Sequence, residues 1–166
     1  SVVTNLPVPW LPAELDTKPP PGVLYYEVTI EHLAPRTVLA LGLATTPYPQ
    51  FRLPGWHDWS VGLHSDDGRV YVSNDGDGDS YTSAFRQDDV IGVGIDTVAR
   101  RVFYTRNGHR MRNVEAISGA APAETPIPLL TVHPIIGADG PCVVRANFGT
   151  APFRWAAANE MRAAYA

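Results

Sequence analysis

Short runs of alternating apolar and polar residues, cut by turn-forming residues, set the pattern of this chain from residue 25 onward. In YYEVTIEH (25–32), Tyr26, Val28 and Ile30 point one way and Tyr25, Glu27, Thr29 and Glu31 the other, the period of a half-buried strand. VLALGLAT (38–45) is apolar on both faces, which predicts a central strand. SVGLHSD (60–66) and RVYVS (69–73) flank Asp67-Gly68, a short-hairpin signal. DVIGVGID (89–96) and RRVFYTR (100–106) make a second hairpin, closed at its far end by Asn107-Gly108. MRNVEAI (111–117), PLLTVHP (128–134) and CVVRANFG (142–149) continue the series. Only WAAANEMRAAYA (155–166), alanine-rich and free of Gly and Pro, predicts a helix.

These elements predict an all-β fold, a sandwich of two antiparallel sheets. Residues 1–24, with PVPWLP and PPPG, predict an extended strap packed on the domain; 25–154 form the sandwich and 155–166 a short C-terminal helical tail. Because successive antiparallel strands reverse direction, alternate connections fall at one end. Counting from strand 38–45, the strap's entry, loop 46–59, segment 74–88, the Asn107-Gly108-His109 turn and segment 135–141 are expected to converge there. Loops gathered on a rigid scaffold are how sandwich folds build binding surfaces.

The 166 residues suffice for one domain with its own core. With 45% hydrophobic and 18% charged residues, a disordered chain is excluded. A net charge of −4 and a single lysine, Lys18, give no field for phosphate backbones, so no nucleic-acid partner is expected. Cys142 is the only cysteine and no Asn-x-Ser/Thr sequon occurs, which points to a reducing compartment. No apolar run approaches the length of a membrane span, and no signal-peptide pattern opens the chain. The start at Ser1 reads as that of a fragment whose targeting segments lie elsewhere.

Catalytic constellations are poor. NDGDGDS sets Asp75, Asp77 and Asp79 at the i, i+2, i+4 spacing of an EF-hand loop, but the sixth position is Ser80 and the twelfth Arg86, so calcium is a weak candidate there. His57, His64, His109 and His133 fall in no recognisable ligand spacing. His64 alternates with Ser60 and Gly62, away from Val61 and Leu63, and reads as a structural hydrogen-bonding histidine near Asp66-Asp67-Gly68. There is no Gly-x-Ser-x-Gly elbow and no phosphate loop. Asp66-Asp67 and Asp88-Asp89 sit at turns, where aspartate bonds the backbone. Neither an enzyme nor a cofactor is expected.

Several ordered motifs carry a resemblance. YYEVTI, then P-G-W-x-x-x-S-x-G-x-H-x-D-D-G (Pro54 to Gly68), then DDVIGVGID with VFYTRNG, then ANFGTAPF resemble a SPRY domain over roughly residues 22 to 155. Within that family the chain looks like the Ran-binding protein M branch. The run TTPYPQFRLPGWH resembles the fungal endosomal adaptors that recruit a HECT-type ubiquitin ligase to membrane cargo. The resemblance implies a bent, non-catalytic sandwich that binds a short peptide or a protein surface through loops at one end. It also implies an adaptor role in ubiquitin-dependent sorting, in the cytoplasm or on the cytosolic face of an endosomal or vacuolar membrane. A lectin-like module with calcium at residues 75–79 is the alternative.

YPQFRLPGWHDWS (48–60) carries the candidate site. Trp59 opens the Trp59-Val61-Leu63 alternation and is expected to turn inward, and Trp56 to anchor the loop from below. His64, Asp66, Asp67, Asn107 and Gly108 are the other expected structural anchors. Tyr48, Phe51, Arg52 and Leu53 are expected at the loop's tip, stiffened by proline, and tyrosine, tryptophan and arginine are the types that dominate interface hot spots. Trp10 of the strap and His133, Ile135, Ile136 and Asp139 are expected opposite them, since in related SPRY domains the corresponding two loops hold the peptide.

Overall fold

The computed structural model describes residues 2–3, 22–73, 76–96, 99, 101–114 and 132–163. Among the described residues there are eleven strands and one helix: β1 (Val2–Val3), β2 (Val23–Leu33), β3 (Leu39–Thr45), β4 (Ser60–His64), β5 (Arg69–Val72), β6 (Asp79–Ser80), β7 (Val90–Asp96), β8 (Arg101–Arg106), β9 (His109–Asn113), β10 (Val132–Ala138), β11 (Cys142–Asn147) and α1 (Ala156–Ala163). They form two antiparallel sheets, β1-β10-β3-β4-β5-β6 and β11-β2-β7-β8-β9. Among the described residues no helix is long and apolar enough to cross a membrane.

The alternation read from the sequence decides which side chains fill the space between the sheets. Tyr26, Val28 and Ile30 of β2 meet Leu39, Leu41 and Leu43 of β3, Val61 and Leu63 of β4 and Ile91, Val93 and Ile95 of β7 in one core. Buried tyrosines need hydrogen-bond partners. Tyr26 Oη donates across the core to the Gly42 carbonyl at 2.6 Å, and Tyr104 Oη to that of Leu41 at 3.2 Å, tying β2 and β8 to the opposite sheet.

The outer face of the five-stranded sheet holds a second cluster, Tyr25, Phe103, Phe153, Trp155 and Ala158, through which α1 packs on the sheet. Glu27, buried among them, accepts hydrogen bonds from Tyr25 Oη (2.8 Å), Arg154 N (2.7 Å) and Trp155 N (2.9 Å), satisfying amides at the helix entry.

Strand direction departs from the expected count after β5. β6 pairs back along β5, Arg69 opposite Ser80 and Val70 opposite Asp79, and this extra reversal inverts every later strand. β6 was invisible because NDGDGDS offers no apolar alternation to read. β10 also lies later than expected: it runs from Val132 beside Thr45 to Ala138 beside Leu39, so Ile135 and Ile136 are strand residues and not loop. The Asn107-Gly108 turn consequently sits at the end opposite the start of loop 46–59. Arg106 there bonds Ser83 and Ala84, while Phe85 N bonds Ser65 O beyond the end of β4. Of the strap, Val2 and Val3 pair with Ile136 and Ile135 as an edge strand; residues 4–21 lie outside the described residues.

Candidate partner-binding site

Loop 46–59 does not project from the end of the sandwich; it drapes over the outer face of the six-stranded sheet. Small residues on that face make this possible. Gly62 leaves the strand backbone bare, and a Cβ built there would stand 2.1 Å from the Pro54 oxygen. Gly55, at φ 91°, closes over the Tyr71 backbone in the same way.

Polar bonds fasten the loop to the strands beneath. His64 Nε2 donates to the Pro54 carbonyl at 2.8 Å. Gly55 N donates to Ser60 Oγ at 3.1 Å, and Ser60 Oγ donates to the His57 carbonyl. Within the loop, Tyr48 Oη donates to Leu53 O at 2.7 Å and Trp56 N to Leu53 O at 3.0 Å. Rings finish the base: His64 lies 4.3 Å from Tyr71 and 5.2 Å from Trp56, centroid to centroid. Tyr48 closes on Ala44 and Ile135.

This enclosure shows in the titrating groups. Burial pushes the His64 imidazole below its ordinary value, against the Pro54 carbonyl and the charges of Asp66, Asp67 and Asp139, which act the other way. Burial, followed by the hydrogen bond to Asp67, pushes the Tyr71 phenol up to about 12. Burial also raises Tyr48.

The loop's expected residues divide differently from the sequence reading. Phe51 is 87% exposed and Arg52 half-buried, as a contact surface requires. Tyr48 and Leu53 are buried, 8% and 7% exposed, because each is consumed in closing the loop upon itself; they are base, not tip. Trp59, expected in the core, is 39% exposed. It precedes β4 with φ 58°, a left-handed conformation that breaks the strand period and turns the indole outward. Its carbonyl still accepts Thr45 N at 3.1 Å, so its backbone anchors the loop while its ring does not. Trp56 is half-buried against His64 and Tyr71, as an anchor should be, with its indole N–H covered and without a partner.

Across the sheet, His133 lies beside Ala44 and Ile135 beside Gly42, so both share the loop's face, Ile135 fully buried beneath Tyr48. Ile136 points the other way and packs on the main core. Asp139 is exposed past the far end of β10, accepting Val38 N at 2.7 Å, and does not face the loop's tip. Trp10 lies outside the described residues.

The remaining expected anchors lie toward the opposite end. Asp67 accepts Arg69 N at 2.8 Å and Tyr71 Oη at 3.0 Å, and both it and Asp66 are exposed. Asn107, at φ 52°, accepts Val90 N and donates to Asp89 at 2.8 Å each. Asp89 also takes Arg106 Nη2 at 2.8 Å. Burial works to raise its carboxyl, yet the bonds from Arg106, Arg86 N and Asn107 hold it below the usual range. Gly108 follows at φ 84°. Of the acidic loop, Asp79 is a β6 residue and Asp77 is exposed, whereas Asp75 lies outside the described residues. Ser60 carries no role in the sequence reading, although the Pro-Gly-Trp-x-x-x-Ser spacing held the signal.

An antiparallel sandwich whose irregular loop is fastened to a sheet face and displays aromatic side chains is the architecture of a recognition module. The chain belongs to the SPRY domain family, whose model matches residues 23–151. SPRY domains are generally non-catalytic protein-interaction modules. A SPRY domain-containing protein of Schizosaccharomyces pombe is 39% identical over 137 residues, covering 82% of this chain and 33% of that protein. Proteins named ssh4 from Neurospora crassa and Aspergillus fumigatus are each 37% identical over 159 residues, covering 96% of this chain and 28% of theirs. The chain thus spans a third or less of these relatives. A crystal structure of a human SPRY domain superposes with a TM-score of 0.61 at 26% identity, covering 77% of this chain and 78% of that one.

Proposed function

We propose that loop 46–59 binds a short peptide segment or protein surface for a larger adaptor. Phe51 is the carrying observation: it is 87% exposed on a loop otherwise fastened to the sheet. A large ring held in water by a prepared base loses little order when a partner covers it. Trp59 and Arg52 extend the surface, with His133 at its β10 side. Covering Phe51 contributes about 2 kcal/mol, the scale of an interface hot spot.

The adaptor role, presenting partners to a ubiquitin-ligase system from the cytoplasm or the cytosolic face of an endosomal membrane, is supported by the resemblance of TTPYPQFRLPGWH to fungal adaptors. Similarity to the ssh4 proteins across 96% of the chain supports it too.

Selection of a random-peptide library on the domain tests the site. Enriched peptides are expected to lose at least tenfold in affinity for Phe51→Ala and Trp59→Ala while both variants melt as the parent does. Peptides that bind Phe51→Ala undiminished would remove loop 46–59 from the function. Co-precipitation of a HECT-type ligase with the full-length protein tests the adaptor role.

A further inference from the structure

The β9 margin of the five-stranded sheet concentrates positive charge in a chain whose net charge is −4. Arg69, Arg106 and Arg145 are each paired with a carboxylate, of Asp67, Asp89 and Glu31. Arg110, Arg112 and Arg154 are exposed, and among the described residues none of them has such a partner.

Two of the guanidiniums are held in place, and the third residue is fixed through its backbone. The Arg110 guanidinium lies 3.9 Å over the Phe103 ring and donates to Asn113 Oδ1 at 3.0 Å. Arg112 lies 4.9 Å over the Tyr81 ring and donates to the Ser80 carbonyl. Arg154 lies along the β8–β9 turn, its Cγ 3.3 Å from where a Gly108 Cβ would stand, and its amide is fixed on Glu27. Stacked cations such as Arg110 and Arg112 keep their charge for a partner and lose little rotamer freedom in meeting it.

Charge on an edge strand also guards against strand addition, but that purpose is served by mobile side chains and does not call for stacked ones. β9 carries a bulge as well, Met111 and Arg112 standing against Tyr104, so its main chain offers an interrupted ladder and recognition falls to the side chains.

We propose that this margin binds an acidic, extended segment of a partner protein, with carboxylates meeting Arg110, Arg112 and Arg154. Three cations on an acidic chain do not make the continuous stripe that a phosphate backbone requires. The surface flanks the Asn107-Gly108 turn, away from Phe51, so it acts independently of loop 46–59.

Fluorescence anisotropy with a labelled Gly-Glu-Val-Glu-Val-Glu-Gly peptide tests this against its lysine counterpart and a single-stranded oligonucleotide. The acidic peptide is expected to bind, to weaken as salt rises, and to bind Phe51→Ala unchanged. In Arg110→Glu/Arg154→Glu its affinity falls about tenfold, the scale of two reversed rim charges. Because Arg110 stacks on Phe103, Arg154→Glu alone, with its melting temperature checked, serves if the double variant folds poorly. Absent binding to the parent, equal binding of the lysine peptide or the oligonucleotide, or undiminished affinity in a folded Arg154→Glu variant would each overturn the proposal.

Discussion

His64 on β4 donates its Nε2 hydrogen to the carbonyl oxygen of Pro54 at 2.8 Å, so a strand side chain fastens the loop that carries Phe51. The ring is closed in by Tyr71 at 4.3 Å and Trp56 at 5.2 Å, leaving an imidazolium no hydration.

A pH dependence follows. Burial lowers the folded-state value of His64 below the ordinary 6.5, so the unfolded chain binds more protons in the interval between the two. The neutral ring's contribution is complete above about pH 6.5 and is lost as pH falls toward the folded value. Calorimetry from pH 7.5 to 5 is expected to show a falling melting temperature, with a flatter profile for His64→Gln. Parallel profiles would mean that His64 titrates alike in both states.

Gly62 tests whether the loop must rest on the sheet. A Cβ there meets the Pro54 oxygen at 2.1 Å and its carbonyl carbon at 2.4 Å, both backbone atoms that cannot swing aside. Gly62→Ala is expected to lose about 1–3 kcal/mol in denaturant unfolding, the range for overpacking. It is also expected to lose the selected peptides as Phe51→Ala does, with a shift in Trp56 fluorescence. Retained peptide binding in a destabilised variant would separate loop seating from recognition.

Where a single strand's own alternation decides burial, as in Tyr26-Val28-Ile30, the sequence was enough. The Asp67-Gly68 and Asn107-Gly108 turns were equally legible, because left-handed backbone selects Gly and Asn. What escaped depends on backbone geometry that no periodicity records. Asp79-Ser80 makes a strand by pairing with Arg69 and Val70 and not by its own propensity, and missing it sent Asn107 and Asp139 to the wrong end. Trp59 leaves the strand period through one positive φ. In the aromatic loop the expectation set Tyr48, Phe51 and Leu53 at the tip and Trp56 and Trp59 at the base. The actual division falls residue by residue, Tyr48 and Leu53 inward, Phe51 and Trp59 outward.

That division has its own test. Tyr48→Phe removes the donor to Leu53 O and is expected to cost about 1 kcal/mol, a typical hydrogen bond, whereas Phe51→Ala is expected to leave stability within about 0.5 kcal/mol. Urea unfolding of the two variants distinguishes them. Equal losses would place Phe51 in the packed base and withdraw it as a contact residue.

At Glu27 one side chain decides how the helix enters, because its two oxygens together take Tyr25 Oη, Arg154 N and Trp155 N. In Glu27→Gln an amide NH₂ replaces one acceptor, so a donor faces a donor at the entry to α1. The expected loss is about 1–3 kcal/mol, the cost of a buried group left unsatisfied. Glu27→Ala leaves both amides without their acceptor and loses more. Hydrogen exchange is expected to show α1 opening before the sandwich, since its seat on Tyr25, Phe103 and Trp155 depends on the entry held by Glu27. The core between the sheets uses the opposite face of β2, so loop 46–59 should keep its peptides in either variant. Loss of peptide binding in a folded Glu27→Gln protein would show that the two faces of the sandwich are coupled.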